Sequence, residues 1–158
     1  MSDRPLNYTT KIAARQTAQE CVTLLADAGA DHVALALTDR QPSGLSFRLN
    51  TPLGPRDFRL PVNIDGMHQR LLRARKAGEF DTLHARLAQL NHYTSAGHAA
   101  DVAWRVCRDW LAATVALIEA EMADVSEAFA AYRVLDGGRT FAELLAESDA
   151  VPAIEGGG

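Results

Sequence analysis

The hydrophobic pattern of this chain changes period from helical to two-residue and back again. After Thr17 the apolar residues Cys21, Val22, Leu24, Leu25 and Ala28 recur at helical spacing. Thr17 and Glu20 stand three apart, the spacing of a capping box in which each side chain satisfies a first-turn backbone N–H. Gly29 is suited to the left-handed conformation that stops such a helix. Three short segments then alternate, with Val33, Leu35 and Leu37 in residues 32–38, Leu45, Phe47 and Leu49 in residues 45–50, and Phe58 and Leu60 in residues 56–60. Turn formers around Asp39 to Gly44 and at Pro52 and Gly54 separate them, which predicts an antiparallel meander. One face of that meander is packed under the capped helix, and the other carries Ser46, Arg48, Asp57 and Arg59 into water. Residues 8–12 also alternate and read as a short strand or an extended arm.

Helical spacing returns at Asp65, a candidate N-cap for a helix to Lys76 with Met67, Leu71 and Leu72 on its inner side. Gly78 breaks it. Asp81 is placed to cap another helix to about Asn91, carrying Leu83, Leu87 and Leu90, and residues 93–97 read as a loop. The dominant element spans residues 98–132, where Ala103, Val106, Cys107, Trp110, Leu111, Thr114, Leu117, Ile118, Met122, Val125 and Phe129 form one apolar stripe. Unbroken, it would be about 50 Å long at 1.5 Å per residue. A domain of this size is about 30 Å across. Either the helix breaks or another subunit covers part of the stripe. The expectation is a homo-oligomer using Trp104, Trp110, Leu117, Met122 and Phe129. Thr140 and Glu143 form a second capping box before Phe141, Leu144 and Leu145.

These elements predict an α+β fold: an N-terminal helix packed on a three- to four-stranded antiparallel meander, then a helical C-terminal half with one long amphipathic helix. Residues 1–150 read as a single domain, with the helix and meander in 7–62 and the helical part in 63–148. Residues 149–158, ending in three glycines, are expected to be a disordered tail.

Composition narrows the class without choosing a function. The 158 residues are 47% hydrophobic and 23% charged, as in ordinary globular proteins. No apolar run reaches the roughly 18 residues of a membrane span, and the first residues lack the features of a signal peptide, so a cytoplasmic protein is expected. The net charge of −4 divides unevenly: 12 Lys and Arg against 9 Asp and Glu in residues 1–92, and 4 against 11 afterwards. Such asymmetry suits a nucleic-acid-facing front half, head-to-tail assembly, or a helix with a solvated acidic face. Cys21 and Cys107 form no Cys-x-x-Cys pair and read as small buried hydrophobes.

The candidate chemistry is sparse. His84, His92 and His98 lie within fifteen residues but at no spacing that places two imidazoles on one helix turn, so they make a poor metal motif. Glu119, Glu121, Asp124 and Glu127 fall mostly opposite the apolar stripe, where a solvated face belongs. Asp136, Gly137 and Gly138 make a turn, since no Walker-type lysine follows. No nucleophile has a base at hand, no catalytic residue is assigned, and neither a metal nor another cofactor is implied. The basic set Arg70, Arg73, Arg75 and Lys76, extended by Arg48 and Arg59, is a candidate phosphate-binding surface. Arg48 has an alternative role in pairing across strands with Asp57.

The stretch from Asn7 through Ile12, the Thr17-capped helix ending in Ala28-Gly29-Ala30, and Val102-Ala103-Trp104-Arg105 with Asp109-Trp110 and Ala116 to Ala120 form a recurring set. With residues 129–132 and Gly138-Arg139-Thr140, it resembles a family of small phage- and prophage-encoded proteins of unknown function. The resemblance covers most of the chain apart from residues 66–98; Arg139 stands where that family has a lysine, and residues 1–6 extend the front. It implies a viral or prophage origin and brings no catalytic residue. The expected function is therefore that of a non-enzymatic accessory binding protein acting on a host or phage protein. The alternatives are a nucleic-acid-binding protein using the arginine surface, and a metal-assisted hydrolase using His84, His92 or His98.

Overall fold

The computed structural model describes residues 4–81 and 86–150. Its elements run α1 (Ala14–Asp27), β1 (His32–Thr38), β2 (Gln41–Thr51), β3 (Gly54–Pro61), α2 (Ile64–Lys76), α3 (Leu87–Tyr93), α4 (Ala96–Glu119), α5 (Val125–Ala128), a 3-10 turn (Ala130–Tyr132) and α6 (Phe141–Ala150). This is the expected α+β order, with three strands in the sheet among the described residues. Residues 8–9 lie in a turn and 10–12 take no regular structure, so no strand forms there. Their role is to pack: the Tyr8 ring lies 5.3 Å from that of Phe80 and 5.4 Å from that of Tyr93.

The meander's register puts the alternating residues in layers. Val33 pairs with Phe47 and Phe47 with Phe58; Leu35 pairs with Leu45 and Leu45 with Leu60. These residues face α1, whose Ala14, Ala18, Cys21 and Leu25 are buried with them. Leu37 is the exception among the residues expected inside. The register shift between Ala36 and Leu37 leaves Ser43 of β2 without a partner in β1. Leu37, near the end of this edge strand, is exposed. On the outer face Arg48 opposes Asp57, as the alternation predicted.

Helix α1 begins three residues before Thr17, so Thr17 and Glu20 do not cap it. Its first N–H, on Ala14, donates to Asp101 Oδ1 of α4 at 2.8 Å. Thr17 is buried in the first turn, and Glu20 accepts from Arg105 at 2.7 Å. The cap of α2 is Asn63 rather than Asp65, with Gly66 N–H donating to its Oδ1 at 2.8 Å. The helix expected from Asp81 instead begins at Leu87, because Arg86 before it is extended, while Leu83 and His84 lie outside the described residues; α3 then runs through Tyr93, leaving Thr94 and Ser95 to join it to α4.

The long helix breaks. Helix α4 holds 24 residues, about 36 Å at 1.5 Å per residue. Glu121 then takes a left-handed conformation with φ of 57°, and Asp124 and Glu127 form a capping box that starts α5. The break folds Phe129 back into its own core, where it is fully buried against Phe47, Phe58 and Trp110. The Thr140 and Glu143 box forms as expected and starts α6. That helix includes Asp149 and Ala150, where the sequence predicts the start of a tail; residues 151–158 lie outside the described residues.

Candidate functional site

A large open cleft, about 990 Å³ in volume, lies where three helices begin. Ala13, Ala14 and Arg15 bring the start of α1 to it, Asn63, Ile64 and Asp65 the start of α2, and Ser95 to His98 the start of α4. The β1–β2 turn closes one side with Asp39, Gln41 and Ser43. Helix N-termini leave first-turn N–H groups without intrahelical partners and carry a partial positive charge. Some of these donors are taken: Ala14 N–H by Asp101, Gly66 N–H by Asn63, and His98 N–H by Ser95 Oγ at 3.2 Å. No described hydrogen bond uses the N–H of Arg15, Asp65, Ala96 or Gly97. Gly97 has open space where a Cβ would project.

His98 supplies the cleft's buried polar group. It is 2% exposed, and its Nε2 lies 2.5 Å from the Tyr8 carbonyl oxygen. A carbonyl only accepts, so Nε2 carries the proton and Nδ1 of the neutral ring is an acceptor. Nδ1 is buried and has no hydrogen-bond partner. The exposed ring of His92 lies 4.5 Å from that of His98, and Tyr93 is 5.7 Å away. Leaving a buried acceptor unsatisfied costs on the order of 1–3 kcal/mol. The cleft therefore offers backbone donors and the carboxylates of Asp39, Asp65 and Asp101, with buried His98 in its wall. Arg15 lies on its rim with its guanidinium donating to the Arg40 carbonyl at 2.8 Å. No serine or threonine hydroxyl in the cleft bonds a histidine ring among the described hydrogen bonds: Ser95 Oγ donates to the His92 carbonyl, and Ser43 Oγ accepts from Thr38.

Two of the three histidines singled out as metal candidates thus come together, while His84 lies outside the described residues. Among the described residues no group of three or more metal-ligating side chains is assembled. The basic set is not brought together as a free surface. Arg48 is bonded to Asp57 at 2.7 Å and Arg59 to Glu143 at 2.8 Å. Arg70 pairs with Glu79 at 3.1 Å, and Arg75 donates to Asn91 and Thr94. Arg73 and Lys76 are exposed, and no described hydrogen bond or ion pair involves their side chains. The pairing also acts on the acids: hydrogen bonding to Arg48 holds Asp57 below its ordinary range, and the Thr140 N–H followed by Arg59 does the same for Glu143.

The residues expected at an oligomer interface also divide. Trp104 and Phe129 are core, with Trp104 Nε1 donating to the Pro42 carbonyl at 2.8 Å. Trp110, Leu117 and Met122 remain exposed. Sequence reasoning missed the cleft because its walls come from four separated segments. Only His92 and His98 carried a signal there. No family model, curated protein or solved structure matches the chain.

Proposed function

We propose that this is a non-enzymatic accessory binding protein of phage type, and that it receives a segment of a host or phage protein in the cleft at the three helix starts. The observation that carries the reading is His98, buried at the cleft with an unused Nδ1 acceptor beside first-turn N–H groups without partners. An extended polypeptide offers both kinds of complement, carbonyl oxygens for the helix N–H groups and N–H donors for an acceptor. The carboxylates of Asp39 and Asp65 would hold a basic side chain at the rim.

The test is a paired capture from the lysate of a host carrying the phage or prophage, with and without nuclease. Gly97→Trp fills open space at the cleft while keeping α4 intact. A protein retained by the wild type and by the Arg73→Glu, Lys76→Glu variant, but lost with Gly97→Trp, supports the reading. Retention by all three, or loss on nuclease treatment, overturns it in favour of another surface or of nucleic acid.

A further inference from the structure

The interface between α1 and α4 places the only two cysteines opposite each other. Three hydrogen bonds fix how the helices align: Asp101 with Ala14, Arg105 with Thr17 and Arg105 with Glu20, at sequence separations of 87, 88 and 85 residues. All three pair later positions of α1 with later positions of α4, so the helices run in the same direction. Cys107 follows Cys21 by 86 positions in the sequence and falls in that register. The two residues pack in one core cluster. Ala14 and Ala18 are the neighbouring α1 residues in that interface, and their small side chains allow close approach.

The two thiols differ in access and in chemistry. Cys21 is fully buried. Cys107 is half-buried and lines a separate groove of about 410 Å³, together with Met67, Val106, Trp110 and Tyr132. The neighbouring Cys21 thiol lowers the Cys107 thiol below its ordinary range, while Cys21 itself is raised, first by the Cys107 thiol and then by burial. The thiolate is the nucleophile in oxidation, so the accessible member is also the more reactive one.

We infer that Cys21 and Cys107 are an oxidative modification site, a dithiol that hydrogen peroxide converts to an intrachain disulfide joining α1 to α4. Cys107 attacks one peroxide oxygen as the O–O bond breaks, giving its sulfenic acid and, with the displaced thiol proton, one water. Cys21 sulfur then displaces the hydroxyl from Cys107, forming the S–S bond and releasing a second water that carries the Cys21 proton. The two thiols lose two electrons and the peroxide gains them. The bond would tie together the two helices whose first turns wall the cleft, although the site does not depend on what the cleft binds. It would also close a long loop and so restrict the unfolded chain.

The test uses the reduced full-length protein treated with stoichiometric hydrogen peroxide, then denatured without reductant and weighed. The expected result is a monomer lighter by about 2 Da, a Cys21–Cys107 linked peptide, and a higher melting temperature, all reversed by dithiothreitol. In Cys21→Ser, Cys107 should stop at a sulfenic acid that dimedone traps. Two thiols that remain open to alkylation, a sulfinic acid on Cys107 in the wild type, or disulfide-linked dimers would each overturn the assignment.

Discussion

His98 and Trp104 lie six positions apart on α4, and both spend a ring N–H on a carbonyl from elsewhere in the fold. Trp104 Nε1 reaches the Pro42 carbonyl in a fully buried setting. Trp104→Phe keeps an aromatic ring but strands that carbonyl, so it should lower stability by about 1–3 kcal/mol in denaturant unfolding. His98 differs because its second nitrogen is left over, which is why it points to a ligand and Trp104 does not. The sequence marked both residues, the histidine as a metal candidate and the tryptophan as an interface residue. Spacing could not tell which ring would be satisfied, because Tyr8 and Pro42 come from distant segments. Charge pairs set a second expectation at this scale. Asp57 and Glu143 titrate lower folded than their ordinary values of 3.8 and 4.5. A depressed folded value stabilises above the unfolded one, and that contribution disappears as pH falls through the folded value. The melting temperature should therefore begin to fall once pH drops below about 4.5, through the Glu143 contribution. Arg59→Ala should make that fall shallower in a pH series of melts.

At the scale of elements, caps decide where helices begin, and they were only partly legible. The box at Thr140 and Glu143 is local and formed as its spacing predicts. Thr140→Ala should cost about 1 kcal/mol by removing the N-cap of α6, measurable by urea unfolding. The same spacing at Thr17 and Glu20 misled, because Asp101 of α4 caps α1 instead and frees Glu20 for Arg105. A cap supplied across the fold leaves no local signature. Conversely, Asp124 and Glu127 carried the signature and were passed over as solvated carboxylates, because the apolar stripe continued through them. Reading that box would have placed the break between α4 and α5. Gly97 gives the converse test of a first turn. Its Cβ position is open and its backbone helical, so Gly97→Ala should stabilise by about 0.5–1 kcal/mol in the same assay.

For the whole molecule, the break in the long helix changes what the apolar stripe means. The length argument for a second subunit assumed an unbroken rod. With Phe129 turned back into its own core, one chain covers most of the stripe and leaves Trp110, Leu117 and Met122 outside. Those three residues are what remains of the expected subunit interface, and light scattering at micromolar concentration checks it: a multiple of the single-chain mass of 17.1 kDa supports a homo-oligomer and the single-chain mass counts against one. The excess of basic residues in the front half likewise loses much of its meaning, since Arg48, Arg59 and Arg70 are matched by carboxylates. The α+β order was readable because it depends on local period, whereas the cleft depends on where distant helix starts converge. Amide hydrogen exchange on the captured complex tests the cleft most directly. Binding there should slow exchange at Arg15, Asp65, Ala96 and Gly97 and leave residues 73–76 and 117–122 unchanged. Slowing confined to either of those two stretches, with the four cleft amides unaffected, would contradict it.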